Sequence, residues 1–124
     1  MNALRDRPDL VRKIERITAV ALSGQLTTPA TPTVVDVRSE KEWAAGHIAG
    51  SVNIPLNHLR DRVNEIATER PVVVHCEGGY RSAIAASVLA NAGRPDVLDM
   101  VGGFKAWAAS KLPVQVETAV GTGA

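Results

Sequence analysis

The sequence predicts an α/β fold built on a central, mostly parallel sheet. Short runs rich in β-branched residues, such as 34–37, alternate with segments whose apolar residues recur at helical spacing, such as 81–92. The uninterrupted valines within 71–75 are typical of a parallel strand that is covered on both faces. Strands that alternate with helices form βαβ units with right-handed crossovers, and such units assemble a parallel sheet.

Prolines and one helix cap define the first predicted elements. The two prolines within 27–33 predict a loop, because proline fits neither a helix interior nor a central strand, and the strand at 34–37 follows it. Ser39 has a glutamate three residues later, which is the spacing of a capping box and predicts a short helix through Ala45. Residues 52–55 are predicted to be extended, since the proline that ends them disfavours helical backbone at the preceding residue.

The remaining elements follow from apolar spacing and from glycines. Residues 57–69 carry apolar side chains at helical spacing, and the strand at 71–75 comes next. A short strand at 97–100 precedes a last helix, which a pair of glycines opens within 102–109. The helix at 81–92 is predicted to present one apolar face, formed by Ile84, Ala85, Val88 and Leu89.

The length of 124 residues fits a single domain. Residues 15–116 are predicted to form this domain, between a polar lead-in at 1–14 and a flexible tail at 117–124. The first sixteen residues mix basic and acidic side chains and do not resemble an export signal, so a cytoplasmic location is expected.

Composition argues against several classes of partner. The formal net charge is +1, and the aromatic residues number only two Trp, one Tyr and one Phe, so no nucleic-acid partner is expected. No apolar run approaches the roughly 18 residues that span a bilayer, so no membrane partner is expected. The single cysteine excludes an internal disulfide, and three histidines without ligand spacing predict neither a metal site nor a cofactor.

The chemistry is predicted to lie in the loop between the strand at 71–75 and the helix at 81–92. Ligands of open α/β sheets bind at the carboxyl ends of the strands, and this loop starts from that edge. Its two glycines let successive backbone N–H groups point inward, and these groups and the helix N-terminus form an anion cradle. Such a cradle favours the thiolate form of Cys76, and Arg81 adds positive charge at its rim.

The alternative for Cys76 is a purely structural role. A lone cysteine more often serves as a small buried apolar residue. The place of Cys76 at a strand end, before the glycine pair and Arg81, favours a reactive thiol instead.

Four stretches of the chain occur in this order: 35–38 with Glu42 and Trp43, 46–55, 76–81 and 102–107. Together they resemble a rhodanese domain, the sulfurtransferase family, over about residues 15–113. The resemblance implies a compact five-stranded parallel sheet flanked by helices, with a catalytic cysteine that takes a sulfane sulfur as a persulfide. It also implies a small-molecule sulfur donor and a thiol or cyanide acceptor, with a protein acceptor as a further option.

The resemblance also assigns roles to residues of this chain. Cys76 and Arg81 are the predicted catalytic residues. The loop predicted to bind substrate and persulfide consists of Glu77, Gly78, Gly79, Tyr80, Arg81 and Ser82. The predicted supporting residues are Asp36, Arg38, Gly102 and Gly103, of which the glycines let the backbone pass close to the loop.

Several polar side chains are predicted to have structural partners. Arg38 is expected to pair with Glu42, four residues later, and Asp36 to cap nearby backbone N–H groups. His75 points to the opposite face of its strand from Cys76, which disfavours a Cys–His catalytic pair.

The length of the loop distinguishes two related chemistries. Four residues separate Cys76 from Arg81, whereas cysteine phosphatases and the related arsenate reductases have five and surround a tetrahedral oxyanion. The smaller ring suits a sulfur atom carried on the cysteine. Sulfur transfer is therefore predicted over phosphate hydrolysis.

The residue after the cysteine predicts the donor. Many thiosulfate-using members of the family carry a basic residue there, whereas this chain has Glu77, which repels dianionic thiosulfate by about 1 kcal/mol. The loop also resembles those of rhodanese domains fused to persulfide-oxidising enzymes of the metallo-β-lactamase fold. Both features favour glutathione persulfide or polysulfide as donor over thiosulfate. The alternative function is a module that carries sulfur, or binds a partner, without turnover.

Overall fold

A computed structural model describes residues 15–29, 31–66, 69–78, 80–94 and 96–116. Within these residues five strands form one sheet, in the order β1-β5-β4-β2-β3, and every neighbouring pair is parallel. The predicted α/β class with a five-stranded parallel sheet is therefore confirmed. The predicted lead-in at 1–14 and tail at 117–124 lie outside the described residues. The strands are β1 (Glu15–Ile17), β2 (Thr33–Asp36), β3 (Val52–Asn53), β4 (Val72–His75) and β5 (Val97–Met100).

Helices cover both faces of this sheet. A 3-10 segment, Arg60–Glu65, follows the third helix and contains a residue with non-helical backbone, Arg62. The sequence predicts a helical segment at 57–69, and the structure has instead a short α-helix that continues as this 3-10 segment. The helices are α1 (Ala19–Gln25), α2 (Glu40–Ala45), α3 (Leu56–Leu59), α4 (Arg81–Asn91) and α5 (Gly103–Ala109).

The capping box at the start of α2 forms as predicted. The Ser39 hydroxyl accepts from the Glu42 N–H at 3.1 Å, and the Glu42 carboxylate accepts from the Ser39 N–H at 2.9 Å. Two backbone donors that have no partner within the helix are thereby satisfied.

The apolar face predicted for α4 is partly wrong. Ile84 is 46% exposed, whereas Ala85 and Leu89 are fully buried. The buried side of the helix also includes Ser82 and Ala86, so small residues let α4 pack closely on the sheet.

Two apolar layers lie on opposite faces of the sheet. On one face α3, the 3-10 segment and α4 pack on alternate residues of the strands, and this α4-side layer includes Cys76. On the other face α1 and α5 pack on the intervening residues, and Trp107 is 2% exposed in this α5-side layer. Burial on both faces explains why β4 is a continuous run of valines.

The topology brings two strand ends together at one edge. Asp36, the last residue of β2, is paired in register with His75, the last residue of β4. The segments that leave these two strands therefore start side by side, as the carboxyl edge of a parallel sheet requires. Among the described residues, no helix is both long and apolar enough to cross a membrane.

Candidate active site

Cys76 occupies the floor of the loop that follows β4. It is 1% exposed and lies on the α4 side of the sheet, because it follows Val74 by two residues along an extended backbone. Its Sγ lies 3.6 Å from the Oγ of Ser82, in the first turn of α4. The thiol is thus held between the end of one strand and the start of the next helix.

The N-terminal turn of α5 holds the carbonyl groups of this loop. The N–H of Phe104 donates to the Cys76 carbonyl at 2.7 Å, and the N–H of Lys105 donates to the Glu77 carbonyl at 3.0 Å. A trans peptide turns its C=O and N–H in opposite directions. The N–H groups of Glu77 and Gly78 therefore point away from α5, toward the side of the sheet that carries the thiol.

This orientation gives the loop the character of an anion site. Backbone N–H groups that converge on one point, together with the N-terminus of the 11-residue helix α4, stabilise negative charge. Gly79, which the sequence places in the same loop, lies outside the described residues. Tyr80 is 77% exposed, so its ring lies at the surface of the site.

The two glycines at the start of α5, Gly102 and Gly103, have different neighbours. A Cβ atom on Gly103 would lie 2.5 Å from the Cys76 carbonyl oxygen and 2.6 Å from that of Glu77. A Cβ atom on Gly102 would instead meet the Cβ of Ala106, in the same helix, at 2.7 Å. Gly103 is therefore the residue that lets α5 approach the loop.

Arg38 links the carboxyl ends of β2 and β4. Its Nη2 lies 2.8 Å from Asp36 Oδ2, and its Nη1 lies 2.9 Å from Glu77 Oε1. The guanidinium also stacks 4.3 Å from the centre of the Phe104 ring. Burial disfavours the charged guanidinium, but the hydrogen bonds and charges of Asp36 and Glu77 outweigh this effect and raise the pKa of Arg38.

The predicted pairing of Arg38 with Glu42 is wrong. The Arg38 side chain is only 3% exposed and turns inward across the sheet edge, whereas Glu42 lies on α2 and faces α4. The predicted capping role of Asp36 is confirmed, because its Oδ1 accepts from the backbone N–H of Arg38 at 2.9 Å.

His75 helps to fix the backbone of the loop that begins at Cys76. Its Nδ1 lies 3.1 Å from the Cys76 carbonyl oxygen, which can only accept, so Nδ1 carries the proton. Its ring stacks on Phe104 in the α5-side layer, across the sheet from the thiol. Burial lowers the pKa of His75, which keeps the imidazole neutral. The structure therefore agrees that His75 does not face the Cys76 sulfur.

Arg81 begins α4 and is held by Glu42, which the sequence predicts to cap α2 and to pair with Arg38. Its Nη1 and Nη2 lie 3.0 Å from Oε1 and Oε2 of Glu42. The hydrogen bond from Arg81, against a smaller opposing effect of burial, lowers the pKa of Glu42 to about 2. Glu42 thereby anchors α2 to the end of the loop. The order of the elements indicates this contact, because α2 follows β2 and therefore starts at the sheet edge where the loop after β4 also starts.

We expect this pair to give a pH-dependent contribution to stability. The pKa of Glu42 is about 2 in the folded protein and about 4.3 in an unfolded chain, so the carboxylate stabilises the fold above pH 5 and loses this effect as the pH falls toward 2. Replacing Glu42 with glutamine, which retains the capping hydrogen bond, should lower the free energy of unfolding by about 1 kcal/mol at pH 7, after allowance for solvent screening. Denaturant unfolding at a series of pH values measures the difference, which should vanish near pH 2.

The exposed pair Arg62–Glu65 offers the control for this experiment. Its carboxylate–guanidinium distance of 2.8 Å is similar, but Glu65 is half exposed. Replacing Glu65 with glutamine should leave the free energy of unfolding unchanged, both at pH 7 and near pH 2. An equal effect of the two substitutions would contradict a specific anchoring role for Glu42.

A groove of about 510 Å³ opens beside Arg81, next to the end of the loop. It is lined by both apolar and polar side chains, so it can hold a small organic molecule that also carries polar groups. No cluster of three or more metal-ligating side chains occurs within the described ranges. The apolar lining residues of the groove are Val37, Pro55 and Leu56, and the polar ones include Ser39, Glu40 and His58.

Comparison with known proteins places this geometry in a family. The model of the rhodanese-like domain family matches residues 18–110, which contain all five helices, the strands β2 to β5 and the loop after Cys76.

Curated relatives agree with this match. A protein named sulfurtransferase from Allochromatium vinosum is 34% identical over 101 residues, which cover 82% of this chain and 94% of that protein. Thiosulfate sulfurtransferase GlpE from Ectopseudomonas mendocina is 36% identical over 62% of this chain and 71% of that protein. An uncharacterized protein from Bacillus subtilis, YqhL, is 43% identical over 60% of this chain. The matched segment spans only 59% of YqhL, so this chain covers less than two thirds of that relative.

Solved structures show the same fold. The crystal structure of a rhodanese-related protein from Thermoplasma volcanium superposes with a TM-score of 0.76 at 34% sequence identity, over 83% of this chain and 99% of that one. The family match, the relatives and the fold agree, and this chain belongs to the rhodanese-like domain family.

Proposed function

We propose that the protein is a sulfurtransferase that carries a sulfane sulfur on Cys76. The observation that supports this most directly is the placement of the Cys76 sulfur under a loop whose carbonyl groups are bonded to α5. The N–H groups of Glu77 and Gly78 are consequently available to an anion on the sulfur. Relatives named sulfurtransferase, among them one that aligns over 94% of its length, support the same activity.

The reaction consists of two displacements on sulfur. The Cys76 thiolate attacks the sulfane sulfur of the donor, an S–S bond forms to Cys76, and the donor leaves as a thiolate or as sulfite. The acceptor, cyanide or a thiolate, then attacks the outer sulfur of the persulfide and releases the Cys76 thiolate. The backbone N–H groups stabilise the negative charge at both stages, as in an oxyanion hole. Because the chain has a single cysteine, the acceptor comes from another molecule.

Arg81 and Ser82 close this site on the side of α4. Ser82 places a hydroxyl against the sulfur. Arg81 supplies positive charge at the rim, and its pairing with Glu42 fixes the guanidinium there. We propose positioning roles for Asp36 and Arg38, which connect the loop to β2.

Sulfur loading and turnover test this function together. The protein is incubated with thiosulfate or glutathione persulfide, and intact mass spectrometry should show one added sulfur atom on Cys76. Cyanide should then release thiocyanate, over repeated cycles. Loading without turnover would indicate the carrier module instead, and Cys76-dependent hydrolysis of an aryl phosphate would contradict the proposed reaction class.

We propose a persulfide with an organic group as the preferred donor, for two reasons. The groove beside Arg81 is large enough to hold the organic part of glutathione persulfide, which thiosulfate lacks. The Glu77 carboxylate is also 36% exposed beside the loop, where it disfavours a dianion. Its ion pair with Arg38 compensates part of this charge, so the repulsion is smaller than an unpaired glutamate would cause.

Neutralising Glu77 is expected to improve the use of thiosulfate modestly. The Glu77→Gln variant keeps a hydrogen-bond acceptor for Arg38 and should raise kcat/KM for thiosulfate by about threefold, or roughly 0.7 kcal/mol. The gain should shrink at high ionic strength, because salt screens the repulsion. Steady-state kinetics at two salt concentrations measure both effects.

A matched control makes the same charge change at the opposite sheet edge. Glu69 is exposed and precedes β4, whereas the loop follows that strand. Glu69→Gln should leave kcat/KM for thiosulfate unchanged. Equal gains in the two variants would show that net charge, rather than the position of Glu77, governs the donor.

A further inference from the structure

A buried carboxylate lies on the same face of the sheet as Cys76. Asp99 is on β5, where the alternation of side chains places it beside Val97 in the α4-side layer. Its register partner on β4 is Val74, two residues before Cys76. Asp99 is 3% exposed, and its Oδ1 has no hydrogen-bond partner within the described part of the chain. A carboxylate oxygen is costly to bury in this way.

Ser82 lies between this carboxylate and the thiol. It is fully buried, and its Oγ accepts from the Cys76 thiol at 3.6 Å. The same hydroxyl forms a hydrogen bond to Asp99 that favours the charged carboxylate. A hydroxyl group has one proton, so Ser82 can accept from the thiol while it donates to Asp99. The three side chains form one continuous path from sulfur to carboxylate.

We propose that Asp99 is a positioning residue that stores the proton of the Cys76 thiol, which reaches it through the Ser82 hydroxyl. The thiol proton moves to Ser82 Oγ as the Ser82 proton moves to an Asp99 oxygen. The thiol and the carboxylate thereby become a thiolate and a carboxylic acid, and the net charge is unchanged. Afterwards Asp99 donates to Ser82, and Ser82 donates to the thiolate, so each group in the path keeps a partner.

The surroundings of Asp99 favour this role. Burial raises the pKa of Asp99 above its usual range, although the hydrogen bond from Ser82 and the positive charge of Arg16 oppose the rise. Arg16 is the register neighbour of Asp99 on β1, and the neutral His75 lies at the end of β4 with its ring on the opposite face of the sheet. A carboxyl group with a raised pKa accepts a proton more readily. The Ser82 hydroxyl connects this buried carboxyl group to the thiol, with which it can exchange that proton.

This inference rests on the proposed function, because it concerns the same thiol. The experiment measures the rate of Cys76 alkylation by iodoacetamide as a function of pH. The chain has a single cysteine, so the rate reports on Cys76 alone. After the first proton has left, Cys76 and Asp99 share the one that remains, and the thiolate fraction does not change with pH until this shared proton also leaves. The wild-type profile should therefore rise in the acidic range, reach a plateau and rise again in the basic range.

Three variants distinguish the proton path from a structural role. Asp99→Asn should give a single rise, because asparagine cannot take the proton. Ser82→Ala should lower the plateau by about tenfold, because alanine cannot donate the hydrogen bond with which Ser82 stabilises the thiolate. Ser82→Thr, which keeps the hydroxyl, should restore the plateau to within about twofold of wild type. Circular dichroism checks the fold of each variant, and the ultraviolet absorbance of the thiolate gives a second measure of its fraction.

A single-step profile in the wild type would overturn the proposal, as would two steps in Asp99→Asn or an unchanged plateau in Ser82→Ala. If Asp99→Asn fails to fold, the wild-type profile and the two Ser82 variants still decide. Alkylation requires no sulfur donor, so this experiment tests the proton path separately from the proposed function. A single-step alkylation profile in a protein that still forms the persulfide would contradict the proton path alone. A two-step profile in a protein that forms no persulfide would contradict the proposed function alone.

Discussion

Replacing Cys76 with serine is expected to reduce thiocyanate formation by at least about 10³-fold. A serine oxygen cannot carry the sulfur as a persulfide, and its hydroxyl does not ionise near neutral pH as a thiol in an anion cradle does. The fold should persist, because serine is close in size to cysteine and can hydrogen-bond to Ser82, which lies 3.6 Å from the sulfur. The measurement is thiocyanate release from cyanide with glutathione persulfide as donor.

The wild-type protein alkylated with iodoacetamide provides an independent control for this variant. Because Cys76 is the only cysteine of the chain, alkylation blocks the same atom without any change of sequence. The two preparations should lose activity equally, with far-ultraviolet circular dichroism unchanged. A Cys76→Ser protein that kept more than about a tenth of the wild-type rate would place the chemistry elsewhere.

The parts of the fold that the sequence predicts well are those with local signals. The capping box of α2 requires only Ser39 and Glu42, three residues apart, and forms with both hydrogen bonds. The valine run of β4 and the helix at Arg81–Asn91 likewise follow from patterns within one element. Such signals survive folding because the tertiary structure does not need to override them.

The parts that the sequence does not predict depend on distant partners. The edge strand β1 has three residues, and only its pairing with β5, more than eighty residues later, makes it a strand. A segment so short has no periodicity from which to infer it. α1 contains seven residues, which is likewise too short for apolar spacing to predict a helix.

The candidate site shows the same division. The loop between β4 and α4 was located from its own residues, because a strand end, a cysteine and glycines lie in one segment. The ion pairs around it were not, since Arg38 and Glu77 are 39 residues apart, as are Glu42 and Arg81. The rule of four-residue spacing favoured Arg38 with Glu42 and missed both pairs. The parallel sheet sets these partners by placing the ends of β2 and β4 at one edge.

The two faces of the sheet have separate roles at this edge. On the α5 side, Arg38, His75 and Phe104 hold the loop through its carbonyl and carboxylate groups. On the α4 side, the Ser82 hydroxyl lies 3.6 Å from the sulfur. The backbone of the loop is therefore fixed from the face opposite to the Cys76 sulfur, which leaves the N–H groups of Glu77 and Gly78 directed toward that sulfur.

This arrangement predicts a large effect when α5 is kept from approaching the loop. Replacing Gly103 with alanine is expected to lower the free energy of unfolding by about 2–4 kcal/mol, from the left-handed backbone and from crowding together. The new Cβ would lie 2.5 Å from the Cys76 carbonyl oxygen, and φ at this residue is +63°. These neighbours are backbone atoms, so relief requires α5 or the loop to shift. A shift that displaces the Glu77 and Gly78 N–H groups should also lower kcat/KM by about tenfold.

Gly50 separates the two causes of this effect. It has φ of +83°, and a Cβ there would meet no atom within 4 Å. Gly50→Ala therefore reports the cost of left-handed backbone alone, expected to be about 1–2 kcal/mol with wild-type turnover. Denaturant unfolding and steady-state kinetics are measured for both variants. The difference between the Gly103→Ala and Gly50→Ala effects is the cost of separating α5 from the loop. If Gly103→Ala matched Gly50→Ala in stability and retained full turnover, the contact between α5 and the Cys76 carbonyl would not be what orients the loop.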